Sequence, residues 1–469
     1  MVLQRGPQKA IIWGTADTVG ERVTVTIHGH GHVTTHVTKH PSKSGGIWKV
    51  KLPAITAHGP FTVLAKSSEG EATLHDVLFG DVWVCSGQSN MEFSMYNIFN
   101  ASAEMATASS FKNIRIFKAK KSQSPTPYQD LSSIAIQWSL PTKRSLPNFS
   151  AVCMLYAEYL YPHLNYPIGL VDTDWGGTPI EAWSSPEALN ACSHIHKRGP
   201  FVHTVLWNAM VSPLLPMTIY GAIWYQGESN AHVEAEANRY ACKFPEMIND
   251  WRKRFNEASL GETRADFPFG FVQLAANSDN LANFGAFPAL RWAQTAKYGF
   301  VPNKIMPNTF MSVAMDLPDP HAPYGTIHPR DKQDVARRLV LSGLSVAYGI
   351  KGIDSQGPFP TAFTAHKVHH TLHIEYDNGN IPIDVRNNTG FEVCCSAQSI
   401  PCGDHDPWVA APVTKHDTTS VTLTTSACHQ HVFGVRYAWR ATPCEFKKCS
   451  VYGRDNDLPA PPFKEVAAF

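Results

Sequence analysis

The run Val77-Leu78-Phe79-Gly80-Asp81-Val82-Trp83-Val84-Cys85 is apolar apart from Asp81, and it leads straight into Ser86-Gly87-Gln88-Ser89-Asn90-Met91. A short apolar run bounded by a turn signal reads as a buried strand. The glycine after it lets the backbone turn sharply, and the next residues suit the start of a helix. Ligands of open α/β sheets bind in the crevice beyond the strand ends. A strand–turn–helix there points amide N–H groups at whatever lies beside the Ser89 hydroxyl, which suits a nucleophile next to a developing oxyanion. The same serine in the same place also serves as an ordinary helix N-cap. The rest of the chain has to decide between the two.

Three regions are visible around this run. Residues 1–76 read as closely spaced short strands, with Val23, Val25 and Ile27 alternating with Arg22, Thr24 and Thr26 and with Gly-Gly and Gly-Pro breaks between runs. That pattern predicts an N-terminal β-sandwich. Residues 77–352 alternate strand runs (Val77–Cys85, Ile168–Val171, Ile219–Tyr225, Phe269–Ala275, Phe310–Met315) with helical or irregular stretches such as Ala151–His163. Such alternation predicts an α/β domain with a doubly wound, mainly parallel sheet. Residues 353–469 return to strand patterns and hold six of the ten cysteines, all between Cys394 and Cys449. Those six lack the paired Cys-x-x-Cys spacing of zinc sites, so they predict a disulfide-tied C-terminal β-domain and no metal.

Composition removes several function classes. The 40 basic and 39 acidic side chains leave a formal charge of +1, which gives no electrostatic footprint for nucleic acid or an anionic membrane surface. No stretch approaches the ~18 apolar residues of a membrane span. The sequons at Asn100, Asn148 and Asn387, taken with the cysteines, favour an oxidising, glycosylating compartment.

Three further segments follow strand runs. Asp174-Trp175-Gly176-Gly177-Thr178 carries paired glycines that allow close backbone approach and can offer an amide to an oxyanion; a plain tight turn has the same composition. In Trp224-Tyr225-Gln226-Gly227-Glu228-Ser229-Asn230, the Gln226 amide can donate to a substrate carbonyl oxygen, and Glu228 and Asn230 are candidates for sugar hydroxyls. In Gly325-Thr326-Ile327-His328-Pro329-Arg330-Asp331-Lys332, a histidine ahead of a helix can reach a nucleophile while Pro329 stiffens the turn. A nucleophile, oxyanion donors and a base, each beyond a strand end, are the parts of an acyl-transfer site.

These blocks, in this order, resemble those of SGNH-type (GDSL-like) ester hydrolases. Gly80–Met91, Trp175–Ser184, Trp224–Asn230, Met306–Asp316 and Ile327–Asp334 resemble the sialate O-acetylesterase family more closely, and the resemblance runs along essentially the whole chain. It implies an SGNH-like fold and a serine esterase that removes O-acetyl groups, mainly from the 9-position, of free sialic acids or sialoglycoconjugates. Neither a cofactor nor a metal is implied. A lysosomal or secreted protein is implied, with the signal peptide lying before residue 1. An acetyl esterase for another polysaccharide such as xylan, or an inactive carbohydrate-binding relative, would carry similar blocks.

In that scheme Ser89 attacks and His328 is the base. The oxyanion is held by the Ser89 amide, an amide at Gly176 or Gly177, and Gln226, which stands where the broader family has an asparagine. SGNH enzymes usually carry an aspartate three residues before the histidine, where this chain has Gly325. Asp316 is the first candidate for the missing orienting group. Asp319, Asp331 and a Ser–His dyad oriented by a backbone carbonyl are the others. Arg291 and Arg330 are candidates for the sialic acid carboxylate, and Trp175, Trp183 and Trp224 for stacking on sugar.

Overall fold

The computed structural model describes all residues except 41–43, 193–201, 279, 281–284, 378–379, 397–401, 403–405, 430 and 468. Two compact units emerge: Met1–Trp224 with Glu246–Phe269, and Tyr225–Pro245 with Gly270–Phe469.

In the first unit, strands Arg22–Ile27, Gly31–His36 and Phe61–Ser67 form one antiparallel layer, and Ile11–Ala16, Gly46–Lys51 and Thr38–Lys39 form another. Val23, Val25, Ile27 and Val63 from one layer meet Ile12, Trp48 and Val50 from the other in a single core. The period-2 alternation read from the sequence is what turns these residues inward.

The run that opened the sequence argument lies in one strand, Gly70–Gly87. Its first part is exposed and pairs antiparallel with Phe61–Ser67. From Val77 onward every residue is buried, and pairing becomes parallel, first with Val2–Gln4 and then with Ile168–Asp174. The expected boundary at residue 76 therefore falls inside a continuous strand. Ile114–Ala119 adds parallel to Ile168–Asp174, and Ile134–Ser139 adds antiparallel to Ile114–Ala119. The result is a large mixed sheet rather than a mainly parallel one: parallel pairs at its centre, antiparallel pairs where hairpins join it. Helix Ala151–Leu164 packs on Ile168–Asp174, and the buried disulfide Cys85–Cys153 ties it to the central strand.

In the second unit, Phe269–Gln273 and Thr309–Val313 are neighbouring strands, with helix Lys332–Val346 packed on the latter. Beyond them come a four-stranded antiparallel sheet (Pro360–His366, Thr371–Tyr376, Ser420–Thr424, Val413–His416), another (Trp408–Ala410, Phe391–Ser396, His431–Tyr437, Phe463–Glu465) and a two-stranded ribbon. The six C-terminal cysteines pair as Cys394–Cys402, Cys395–Cys428 and Cys444–Cys449. This is the stapled β-region read from their clustering. Among the described residues no helix is long and apolar enough to cross a membrane.

Candidate active site

Within the first unit, the Gly70–Gly87 strand ends in a short helix, Ser89–Glu92, with Ser89 half-buried at its first position. The neighbouring strand keeps register to the end, Asp174 opposite Gly87, and the Trp175 amide donates to the Gly87 carbonyl at 3.1 Å. Trp175-Gly176 is thereby laid against Ser89. A Cβ on Gly176 would sit 3.2 Å from the Ser89 Cβ and 3.0 Å from Glu92 Oε2, so glycine is what permits the approach. The Gly176 N–H donates to Glu92 Oε2 at 2.7 Å, so that amide is already committed and is not an oxyanion donor in this arrangement. Gly177, one residue on, is exposed. Glu92 is a residue the sequence reading missed. Its signal was the spacing Ser89-x-x-Glu92, which resembles a capping box, but here the carboxylate turns to the facing loop instead. Glu92 also meets Lys121 at 2.5 Å, whose ammonium lies 5.8 Å over the Trp175 ring. Beneath this loop, Lys118 holds the buried Asp172 and Asp174 at 2.8 and 2.9 Å. Burial and Asp174 both push the Asp172 carboxyl upward, against the pull of Lys118.

Within the second unit, Gln226 is fully buried, and its side chain is fixed at both ends. Its Nε2 donates to Asn230 Oδ1 at 2.8 Å, and its Oε1 accepts from the Tyr240 hydroxyl at 2.8 Å. Glu228 and Asn230 are buried in the same turn. His328 is half-buried in a loop. Its Nδ1 lies 2.7 Å from the Tyr324 carbonyl oxygen. A carbonyl can only accept, so Nδ1 carries the proton and the basic lone pair is on Nε2. The turn that brings this carbonyl onto the ring runs through Gly325, at φ +85°, and closes with His328 N–H donating to the Gly325 carbonyl at 2.9 Å. The missing aspartate and its glycine replacement thus have one explanation: a left-handed turn supplies a backbone oxygen to the imidazole.

Residues 79–321 match the family model described as carbohydrate esterase, sialic acid-specific acetylesterase, and residues 361–467 match the sialate O-acetylesterase C-terminal domain. The sialate O-acetylesterases of Mus musculus and Homo sapiens are each 43% identical over 99% of this chain, which spans 92% and 90% of their lengths. The chain belongs to the sialate O-acetylesterase family. A solved structure, a carbohydrate acetylesterase from Xanthomonas citri, superimposes with a TM-score of 0.81 at 29% identity, covering 99% of this chain and 96% of that one.

For this sialate O-acetylesterase family member, several sequence assignments need correction. Asp316 is fully buried and clamped by Arg338 at 2.6 and 2.9 Å, with the Tyr452 hydroxyl donating at 2.9 Å. It supports the fold and is not the group on His328 Nδ1. Asp319 is paired with Arg330 at 2.7 Å, and Asp331 accepts from the Asp334 amide as the helix N-cap. Arg291 is fully buried, donating to the carbonyls of Leu274, Ala275, Arg440 and Ala441, and burial pushes it down to about 9. It is a backbone tie and cannot meet a substrate carboxylate. Trp183 and Trp224 stack edge to face in the core, centroids 6.1 Å apart, while Trp175 keeps partial exposure beside Ser89. Asn100 and Asn148 are exposed; Asn387 Nδ2 donates to the Lys448 carbonyl at 2.9 Å.

Proposed function

We propose that this protein hydrolyses O-acetyl esters of sialic acids, the 9-O-acetyl ester foremost, through a Ser89–His328 pair without a third carboxylate. The single observation behind this mechanism is the Nδ1 contact of His328 with the Tyr324 carbonyl, which holds the imidazole in the tautomer a general base needs. His328 Nε2 takes the Ser89 proton as the serine oxygen attacks the acetyl carbonyl carbon. The resulting oxyanion is held by the amides of Ser89 and Gly177 and by the second N–H of Gln226 Nε2, whose first N–H goes to Asn230 Oδ1. Collapse expels the sugar hydroxyl, which takes its proton from His328 and leaves an acetyl-serine. Water, deprotonated by the same ring, then releases acetate. Losing one oxyanion donor is expected to lower kcat by about 10²–10³-fold.

The sialic acid carboxylate calls for a cation. Lys121, exposed beside Trp175, is our choice in place of Arg291. Lys121→Ala should raise KM for 9-O-acetylated sialic acid about tenfold and leave a neutral aryl acetate nearly unchanged, since only the first substrate offers it an anion. Equal KM values for both substrates would remove Lys121 from recognition.

The deciding assay is acetate release from 9-O-acetylated sialic acid by the wild type, Ser89→Ala and His328→Ala. Each variant should lose on the order of 10⁴-fold in kcat. Undiminished release by Ser89→Ala overturns the mechanism, and faster release from acetylated xylan overturns the substrate. All ten cysteines are disulfide-bonded, which supports our placing the protein in a lysosomal or secreted setting.

A further inference from the structure

Lys332 is fully buried, and no step of the acyl transfer uses it. It is the first residue of helix Lys332–Val346, directly after the capping Asp331. A lysine at such a position ordinarily reaches solvent. Here the ammonium turns inward and donates to the carbonyl of Pro329, the residue that follows His328. It also lies 5.6 Å from the centre of the Tyr225 ring, and the Glu228 carboxylate is near enough to favour its charge. Tyr225 and Glu228 flank Gln226 in sequence. One side chain thus joins the loop that carries the base to the turn that carries a proposed oxyanion donor.

We propose that Lys332 is a positioning residue that locks the His328–Pro329 loop to the Tyr225–Glu228 turn, holding imidazole and Gln226 amide in one fixed relation. This rests on the Ser89–His328 reading above. The loop is then pinned on both sides of the ring, before it by the Tyr324 carbonyl on Nδ1 and after it by Lys332 on the Pro329 carbonyl. The Pro329 carbonyl belongs to a buried residue, so removing its donor also leaves an acceptor unsatisfied. Burial lowers Lys332 to about 7, against the opposing pull of Glu228, Asp331 and Asp319. A neutral amine still donates to the Pro329 carbonyl, but the attraction to the Tyr225 ring and to Glu228 needs the ammonium, so the tether to the turn is strongest while Lys332 is protonated.

The test compares Lys332→Met, which keeps the bulk and loses the donor, with Lys332→Gln and Lys332→Arg, which keep N–H groups. Steady-state kinetics on 9-O-acetylated sialic acid are read beside Ser89→Ala, His328→Ala and each variant's Tm. Lys332→Met should lower kcat by about 10–10²-fold, the usual cost of a displaced catalytic group, with KM within about threefold. Gln and Arg should each recover at least about fivefold of that loss. Labelling of Ser89 by a serine-directed phosphonate should slow in parallel with kcat. A Met variant with near wild-type kcat overturns the proposal, as does loss of activity that tracks Tm equally in all three. If the Met protein does not fold, Lys332→Gln decides: retention of at least about a tenth of wild-type kcat supports the tether, and inactivity equal to His328→Ala sinks it. Full activity of Ser89→Ala or His328→Ala would instead unseat the underlying mechanism, so the two failures are distinguishable.

Discussion

At the scale of single residues, the site turns on Gly325. A side chain there meets no neighbour within 4 Å, so its backbone at φ +85° is the whole constraint. An L residue in that region costs about 1–2 kcal/mol, and a relaxed turn would lift the Tyr324 carbonyl off His328. Gly325→Ala should therefore lower kcat by about 10²-fold. Asparagine tolerates left-handed backbone better, so Gly325→Asn should keep more activity. Equal kinetics of the two variants would show that backbone conformation is not the reason. This explains what was legible in the sequence. Ser89 and Gln226 follow strand ends and His328 stands in the loop ahead of a helix, positions that the sequence pattern marks. The contact of His328 Nδ1 with a main-chain oxygen matches the dyad alternative, but which carbonyl it is could not be read from residue types. Asp316 and Arg291 misled because a buried ion pair and a backbone tie have the same letters as a catalytic acid and an anion ligand.

At the scale of elements, the strand that leads to Ser89 was legible from Val77 onward because it is apolar on both faces, and its exposed part was not, because Glu71, Thr73, His75 and Asp76 break the apolar run. Helix Glu234–Ala258 went unread although its buried Tyr240, Phe244, Met247, Ile248, Trp251 and Phe255 recur at helical spacing. An interior proline, Pro245, is unusual in a helix of this length. The C-terminal staples followed from cysteine density, whereas Cys85–Cys153 joins positions 68 apart and leaves no local signature. That disulfide fixes the strand end four residues before the nucleophile to helix Ala151–Leu164. Replacing both cysteines with alanine should cost about 2–5 kcal/mol, measured by chemical denaturation, and should lower kcat beyond any change seen on replacing Cys444 and Cys449. Equal effects on kcat would mean that the bond stabilises the fold without aligning Ser89.

At the scale of the whole molecule, one buried carboxyl makes the stability of the fold respond to pH. Glu158 is buried in helix Ala151–Leu164, and its Oε2 has no hydrogen-bond partner among the described residues. Burial first, and then the charge of Glu104, raise it from 4.5 to about 7. The folded chain keeps this proton up to about pH 7, while the unfolded chain releases it near pH 4.5. Between those values the native state binds more protons, so the stability Glu158 contributes is fully present below pH 4.5 and is lost as pH rises through 7. Glu158→Gln carries no such charge. The Tm of the variant should match the wild type in acid, pull ahead through that window and level off above it. Comparing one variant with its parent cancels the other titrating groups that both share. A Tm difference independent of pH would show that Glu158 does not titrate in the window. A difference that grows toward neutrality would show that Glu158 keeps its proton in the fold and that its charge costs stability above that window.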